Sequence, residues 1–249
     1  MRWGVGSRAL QVLRVLRVLR VMRVMLLPAV VVLLPAVALA HPGEVLLDPR
    51  AGLPIEEIVE RTPGEVLASF GALGVRHILG GWDHLLFVTG LLFLVRGPRA
   101  LLLTITAFTL GHSLTLGWAA LGGAAPAAGP IEAWIAGSLV LLGRELLRAE
   151  GTWSGRHPET LAALFGLVHG FGFAGALTRA GIPDGAAVPA LAGFNLGVEV
   201  GQIAFVAMAG LVWLGLRRVV RREQVQTAAA WLLGVGGSAA FVGRVLTLG

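Results

Sequence analysis

The sequence predicts an all-α, polytopic membrane protein with about six transmembrane helices after a cleaved signal peptide. Hydrophobic residues make up 56% of its 249 residues and charged residues only 14%, too few to cover the surface of a soluble domain. The apolar residues are gathered into stretches long enough to cross ~30 Å of hydrocarbon as helices. The chain has neither Cys nor Lys, which excludes disulfides, thiolate metal sites and a phosphate-binding P-loop lysine.

The positive charge is concentrated at the N-terminus. Six of the 20 arginines fall within the first 23 residues without a single acid, whereas the chain beyond residue 40 has 14 arginines and 14 acids. Basicity of this kind belongs to a targeting segment, so no nucleic-acid partner is expected.

The first forty residues have the pattern of a secretory signal: a basic start, an apolar run broken by two prolines, and small residues at Ala38 and Ala40. We therefore predict a signal peptide over 1–40, a short exported N-terminal tail over 41–63 and a six-helix transmembrane domain over 64–249. The alternative is an uncleaved first transmembrane helix, for which the run is short.

Six apolar stretches follow the tail, at residues 66–95, 100–121, 131–148, 160–178, 188–216 and 227–247. Arginines are concentrated in the first, third and fifth connections between them, at Arg96, Arg99, Arg148, Arg156, Arg217, Arg218, Arg221 and Arg222. These connections are then cytoplasmic. The expected location is the cell inner membrane, with the mature N-terminus on the outer, periplasmic side.

Ionisable side chains lie near the middle of four of these stretches. Burying such a group in hydrocarbon costs ~2.5–3.5 kcal/mol for Asp on insertion scales, so several at one depth need partners, water or a bound cation. The candidate ligands are His77, Asp83, His84, His112, His169 and Glu199, with Asn195 and Gln202 as supporting polar residues.

Helical periodicity tests which of these residues share a face. His77 and His84 are seven residues apart and do, whereas Asp83 points about 100° away unless Gly80-Gly81 loosens the helix. On the fifth stretch, polar residues at i, i+4 and i+7 form one stripe that must face the protein interior: Asn195, Glu199 and Gln202.

Imidazole and carboxylate ligands without thiolate suit borderline divalent cations such as nickel, cobalt, zinc or ferrous iron. The six candidates supply enough ligands for one site, and the ion would be transported or bound rather than a tightly held cofactor. The alternative is a structural polar network that ties the helices together. The 36 glycines, at spacings of four such as Gly166 and Gly170, allow the helices to approach closely enough for either.

The residues of the first stretch resemble a known family. Phe70 to Phe87 reads F-G-A-L-G-V-R-H-I-L-G-G-W-D-H-L-L-F and looks like the HupE/UreJ family, whose best-described members carry H-P-x-x-G-x-D-H in a helix. His77, Gly81, Asp83 and His84 fill the matching positions. The likeness covers roughly residues 66–245 and is closer to a second branch of the family through three further segments, Phe108–Thr115, Phe165–Phe173 and Gly193–Glu199.

The nickel-transporting branch is similar to F-H-G-x-A-H-G-x-E in a later helix, and this chain departs from it. Gly166, His169 and Gly170 match, while Phe165 and Gly172 stand where that branch has His and Glu. Glu199 of the next stretch is the acid that would replace the missing one.

The resemblance implies metal transport, because the family is associated with nickel supply to hydrogenase and urease. We therefore expect a membrane permease or facilitator for a divalent transition metal, nickel or cobalt first, rather than an enzyme. Two alternatives stay open: an intramembrane metal-dependent hydrolase and a non-conducting accessory protein for metalloenzyme assembly. The expected partners are the metal ion and membrane lipid, and a homo-oligomer is left open.

Overall fold

The structure, a computed structural model, describes residues 62–148, 152–180, 182 and 185–247. The predicted signal peptide, and all of the predicted tail except its last two residues, lie outside the described residues. In the described ranges every regular element is a helix, which confirms the all-α class.

Eight helices are present in this part of the chain: α1 Pro63–Gly80, α2 Trp82–Leu94, α3 Pro98–Ala120, α4 Ala128–Leu147, α5 Trp153–Arg156, α6 Pro158–Ala180, α7 Ala187–Leu216 and α8 Arg222–Leu246. Their ends lie within a few residues of the predicted stretches. Thr62 begins α1 as its N-cap: the hydroxyl accepts from Glu65 N–H, and the Glu65 carboxylate accepts from Thr62 N–H at 2.8 Å.

Four of the described helices, α3, α6, α7 and α8, are long and apolar enough to cross a membrane, and the α1–α2 pair makes a fifth if it counts as one bent span. The remaining long helix, α4, carries charges near both ends, at Glu132, Arg144 and Glu145. The membrane class is confirmed, whereas the count of six spans is not.

The first apolar stretch is two helices rather than one. The chain bends by 73° between α1 and α2. Gly81, with φ −86° and ψ 101°, leaves the helical conformation while its N–H still bonds to the carbonyl of His77 at 3.0 Å. Two successive glycines weaken the helix at this point, because glycine has the largest backbone freedom to lose.

Glycines let three pairs of helices touch through their backbones. A Cβ at Gly197 would collide with the carbonyl of Gly71, which joins α1 to α7. A Cβ at Gly166 would collide with the carbonyl of Phe108, joining α3 to α6, and one at Gly143 would lie 2.8 Å from the carbonyl of Ala230, joining α4 to α8. Glycines spaced by four therefore serve contacts within the chain.

Most of the buried apolar side chains in the described ranges belong to two clusters. One includes Phe173 and Phe194, and the other includes Phe87 and Phe108. The rings of His77 and His169 contact phenylalanines of both clusters. The polar centre of the protein therefore lies between the two apolar clusters, at the break between α1 and α2.

Candidate metal centre

Four buried or half-buried histidines meet around His84, and we call them the histidine cluster: His77, His84, His112 and His169. The His84 ring centroid lies 4.6 Å from that of His77, 6.3 Å from His112 and 5.0 Å from His169. The four side chains come from α1, α2, α3 and α6. Four segments far apart in sequence thus converge on one point, as the midpoint depths predicted.

The bend at Gly81 brings Asp83 into the same place. Asp83, His84 and His169 each offer a ligand atom within 4.8 Å of the others. One Asp83 oxygen accepts from the backbone N–H of His84 at 2.9 Å and lies 3.0 Å from His84 Nδ1. In a straight helix this carboxylate would point about 100° away from His77 and His84. The break at Gly81 is the loosening of Gly80-Gly81 that the sequence analysis required for Asp83 to face them.

Gly81 also leaves room for the cluster. A Cβ at this position would lie 2.6 Å from His84 Nδ1, 3.1 Å from an Asp83 oxygen and 3.0 Å from the carbonyl of His77. These distances are shorter than van der Waals contact, so any larger residue would displace the ligand atoms. The glycine is needed for space, because its φ of −86° is open to every residue.

Among Asp83, His84 and His169, His169 is the most buried, with 1% of its surface exposed. Its Nε2 lies 3.3 Å from the hydroxyl oxygen of Ser138 on α4, and Gly170 beside it lets α6 press against the backbone of α3 at His112. The ring is therefore held from two neighbouring helices.

Phenylalanine rings surround the cluster, and we call them the phenylalanine shell: Phe87, Phe108, Phe173 and Phe194. Phe173 lies 4.0 Å from the His77 ring, Phe108 lies 5.2 Å from the His169 ring, and Phe194 stacks 6.2 Å from His112. Phe87, Phe108 and Phe194 are fully buried. The shell keeps the histidines in an apolar environment.

Most nitrogen atoms of the cluster have no hydrogen-bond partner among the described residues. They are His77 Nε2, His84 Nε2, both ring nitrogens of His112, and His169 Nδ1, whereas His84 Nδ1 faces an Asp83 oxygen at 3.0 Å. An unsatisfied buried polar atom costs ~1–3 kcal/mol. A structural network would have paired these atoms with one another or with neighbours, whereas a cation site needs one free lone pair from each neutral imidazole.

Glu199 lies outside the set formed by Asp83, His84 and His169. It is half-buried on α7 and accepts a hydrogen bond from the Thr106 hydroxyl of α3 at 2.6 Å. Gln202, one turn further along α7, accepts from Thr109 at 3.0 Å. The polar stripe thus faces the protein, as its spacing predicted, but it contacts threonines of α3.

Asn195, the third member of the stripe, bonds within its own helix: its side-chain nitrogen donates to the carbonyl of Leu191 at 2.8 Å. Its side-chain oxygen is buried and unpaired within the described ranges, as is the side-chain nitrogen of Gln202. Asn195 is therefore held by α7 itself, and Gln202 is held by α3.

Asp83 and Glu199 should therefore differ in their effect on metal affinity. We expect Asp83→Asn to weaken nickel binding at least tenfold, because the carboxylate lies in the ligand set and its charge would face the cation. Glu199→Gln should change nickel affinity less than threefold, because glutamine still offers an oxygen to Thr106. Calorimetry on the purified protein measures both, and equal losses would place Glu199 among the ligands.

Three hydroxyl residues that contact the predicted site residues were not predicted from the sequence. Ser138, Thr106 and Thr109 are hydroxyl residues on apolar helices, and each contacts a predicted site residue. Their positions in mid-helix were a usable signal. The signal is weak, because hydroxyl side chains in helices commonly bond to the backbone of their own helix. Thr109 and Ser138 both do so, to the carbonyls of Ile105 and Ile135.

Comparison with known proteins gives one result for nearly the whole transmembrane region. Residues 55–244 match a family model described as HupE / UreJ protein. Curated proteins and solved structures give no match to the chain.

Proposed function

Because the chain belongs to the HupE/UreJ family, we propose that it moves a divalent transition-metal cation, nickel or cobalt, across the membrane through the histidine cluster. The family is associated with nickel or cobalt uptake and with urease or hydrogenase maturation, and its members are transporters or accessory proteins rather than enzymes. The cation is the substrate of this proposal, and the four histidines with Asp83 are the residues that bind it in transit.

The observation that carries the proposal is the set of unpaired imidazole nitrogens at the centre of the bundle. Neutral imidazole is a good ligand for nickel, cobalt and zinc, and a carboxylate adds the negative charge that a divalent cation requires. The described residues hold five such nitrogens, at least one on each of the four rings, and they would be an unexplained cost to stability if their role were structural.

The broken α1–α2 segment supports movement of the ion rather than its permanent storage. Transporters commonly bind their substrates where membrane helices are interrupted, because the interruption frees side chains and backbone to face the ion. Here the interruption lies at Gly81, between His77 on one side and Asp83 and His84 on the other. The Asp83 side chain is 25% exposed, against 6% for His84, so the carboxylate is the more accessible ligand for an arriving cation.

We further propose an inner-membrane location with the mature N-terminus outside. The arginine distribution supports this orientation. Independently of which side is outside, α1 and α7 run parallel, α3 and α6 run parallel, and α4 and α8 run antiparallel, as judged from their glycine contacts. Spans that alternate in direction along the chain require these relations.

Nickel uptake into proteoliposomes tests the proposal. We expect the purified protein to accelerate uptake of radioactive nickel over empty liposomes, and His169→Ala to remove at least nine-tenths of that gain. His157→Ala is the matched control, because His157 is 51% exposed near the start of α6 and outside the cluster. A second set of vesicles with an imposed pH gradient separates proton-coupled uptake, which follows the gradient, from passive facilitation, which does not.

The same experiment distinguishes transport from an accessory role. Stoichiometric nickel binding without accelerated uptake would contradict the transport proposal and favour the accessory proteins of the family. A folded protein that neither binds nor moves nickel, cobalt or zinc would contradict a metal function altogether.

A further inference from the structure

The contact between Ser138 and His169 determines more than the position of the imidazole ring. We propose that Ser138 fixes the tautomer of His169, so that its Nε2 carries the proton and its Nδ1 presents the lone pair to the metal. Ser138 is then a positioning residue that acts through His169. The metal-binding part of this inference rests on the proposed function, whereas the tautomer of the metal-free protein does not.

The single proton of the Ser138 hydroxyl is already used within α4. Ser138 Oγ donates to the backbone carbonyl of Ile135 at 2.6 Å, a short bond within α4. A hydroxyl has one proton to donate and two lone pairs to offer. Since the proton is committed to Ile135, the oxygen can only accept from a second neighbour.

That second neighbour is His169 Nε2, 3.3 Å from the serine oxygen. Two acceptors facing each other make no hydrogen bond, so the contact is favourable only if Nε2 carries a proton. A neutral imidazole carries its proton on one nitrogen and a lone pair on the other. The lone pair of His169 therefore lies on Nδ1.

The rest of the structure leaves Nδ1 available. This atom is buried and has no hydrogen-bond partner in the described part of the chain, and His169 shares the ligand set with Asp83 and His84. Ser138 is itself 1% exposed, so water does not compete for its oxygen. A histidine that binds a metal through one ring nitrogen usually donates the N–H of the other to a hydrogen-bond acceptor. Removing that acceptor typically weakens metal binding ~10–100-fold.

The tautomer can be measured without any metal. We expect nitrogen-15 NMR of the metal-free, histidine-labelled protein to show His169 with a protonated Nε2 and an unprotonated Nδ1, its resonances being assigned by their loss in His169→Gln. In Ser138→Ala the tautomer with a protonated Nδ1 should appear. A protonated Nδ1 in the wild-type protein, or an identical spectrum for Ser138→Ala, would overturn the inference.

Metal affinity gives the second readout. Nickel binding by Ser138→Ala should fall ~10–100-fold, while Ser138→Thr, which keeps the hydroxyl, should recover most of the loss. Ser113→Ala is the matched control, because Ser113 also donates to its own helix, to the carbonyl of Thr109 at 2.6 Å, and is not one of the four cluster residues.

The two readouts separate the two proposals. A shifted tautomer together with weakened binding supports both. Wild-type nickel affinity in Ser138→Ala would overturn the positioning role even if transport is demonstrated. Absence of nickel binding in the wild-type protein would contradict the proposed function. The NMR spectrum would still decide whether Ser138 determines the tautomer of His169.

Discussion

Replacing His84 with alanine is expected to abolish stoichiometric nickel binding while the helices remain folded. His84 is the member of the histidine cluster that lies near all three others, with ring centroids 4.6–6.3 Å away, and it also contacts Asp83. Loss of a partner that only supports a ligand weakens metal binding ~10–100-fold, so loss of the central ligand should exceed that range.

Calorimetry with nickel on the detergent-solubilised protein measures this effect, with circular dichroism as the check on folding. His157→Ala serves again as the comparison, because it removes an imidazole from the exposed surface near the start of α6. Nickel affinity within threefold of wild type in a folded His84→Ala protein would show that the cluster is not the metal site.

Replacing Gly81 with alanine should have the second largest effect, although it removes no ligand. The added methyl group would lie 2.6 Å from His84 Nδ1 and 3.1 Å from an Asp83 oxygen, so both ligands must move. Their displacement by even ~1 Å spoils a geometry that metal sites require. We expect nickel affinity to fall at least tenfold without loss of helix content, since the backbone at Gly81 has an ordinary negative φ.

The control for this substitution is Gly64→Ala in the first turn of α1, where a Cβ would meet nothing within 4 Å. It makes the same chemical change at the opposite end of α1. If Gly81→Ala binds nickel as well as Gly64→Ala does, the ligand atoms cannot occupy the positions that the structure gives them.

The helices themselves could be predicted from the sequence because hydropathy is a local property. The predicted stretches at 100–121 and 188–216 became α3 at Pro98–Ala120 and α7 at Ala187–Leu216. The pairing of these helices could not be predicted, because it depends on which glycine faces which backbone. Gly-Gly at 80 and 81 allowed a break without requiring one, so the 73° bend is decided by the packing on either side.

The depth of the candidate site residues along their helices could be predicted from the sequence. The side of the helix on which each side chain lies could not. His77, His112 and His169 were expected at one level and meet there. Glu199 was expected at the same level, but its side chain bonds to Thr106. A shift of one residue turns a side chain by about 100°, so residue counting fixes the height of a group more reliably than its neighbours.

The phenylalanine shell bears on how fast an ion can move. Phenyl rings cannot replace water in the first coordination sphere, so on the proposed function an ion would have to exchange water for imidazole and carboxylate ligands to enter the cluster. Dehydration is slower for nickel than for cobalt or zinc, whereas affinity for nitrogen ligands increases from cobalt to nickel. On the proposed function, nickel would therefore be held more tightly than cobalt in this centre but would enter it more slowly.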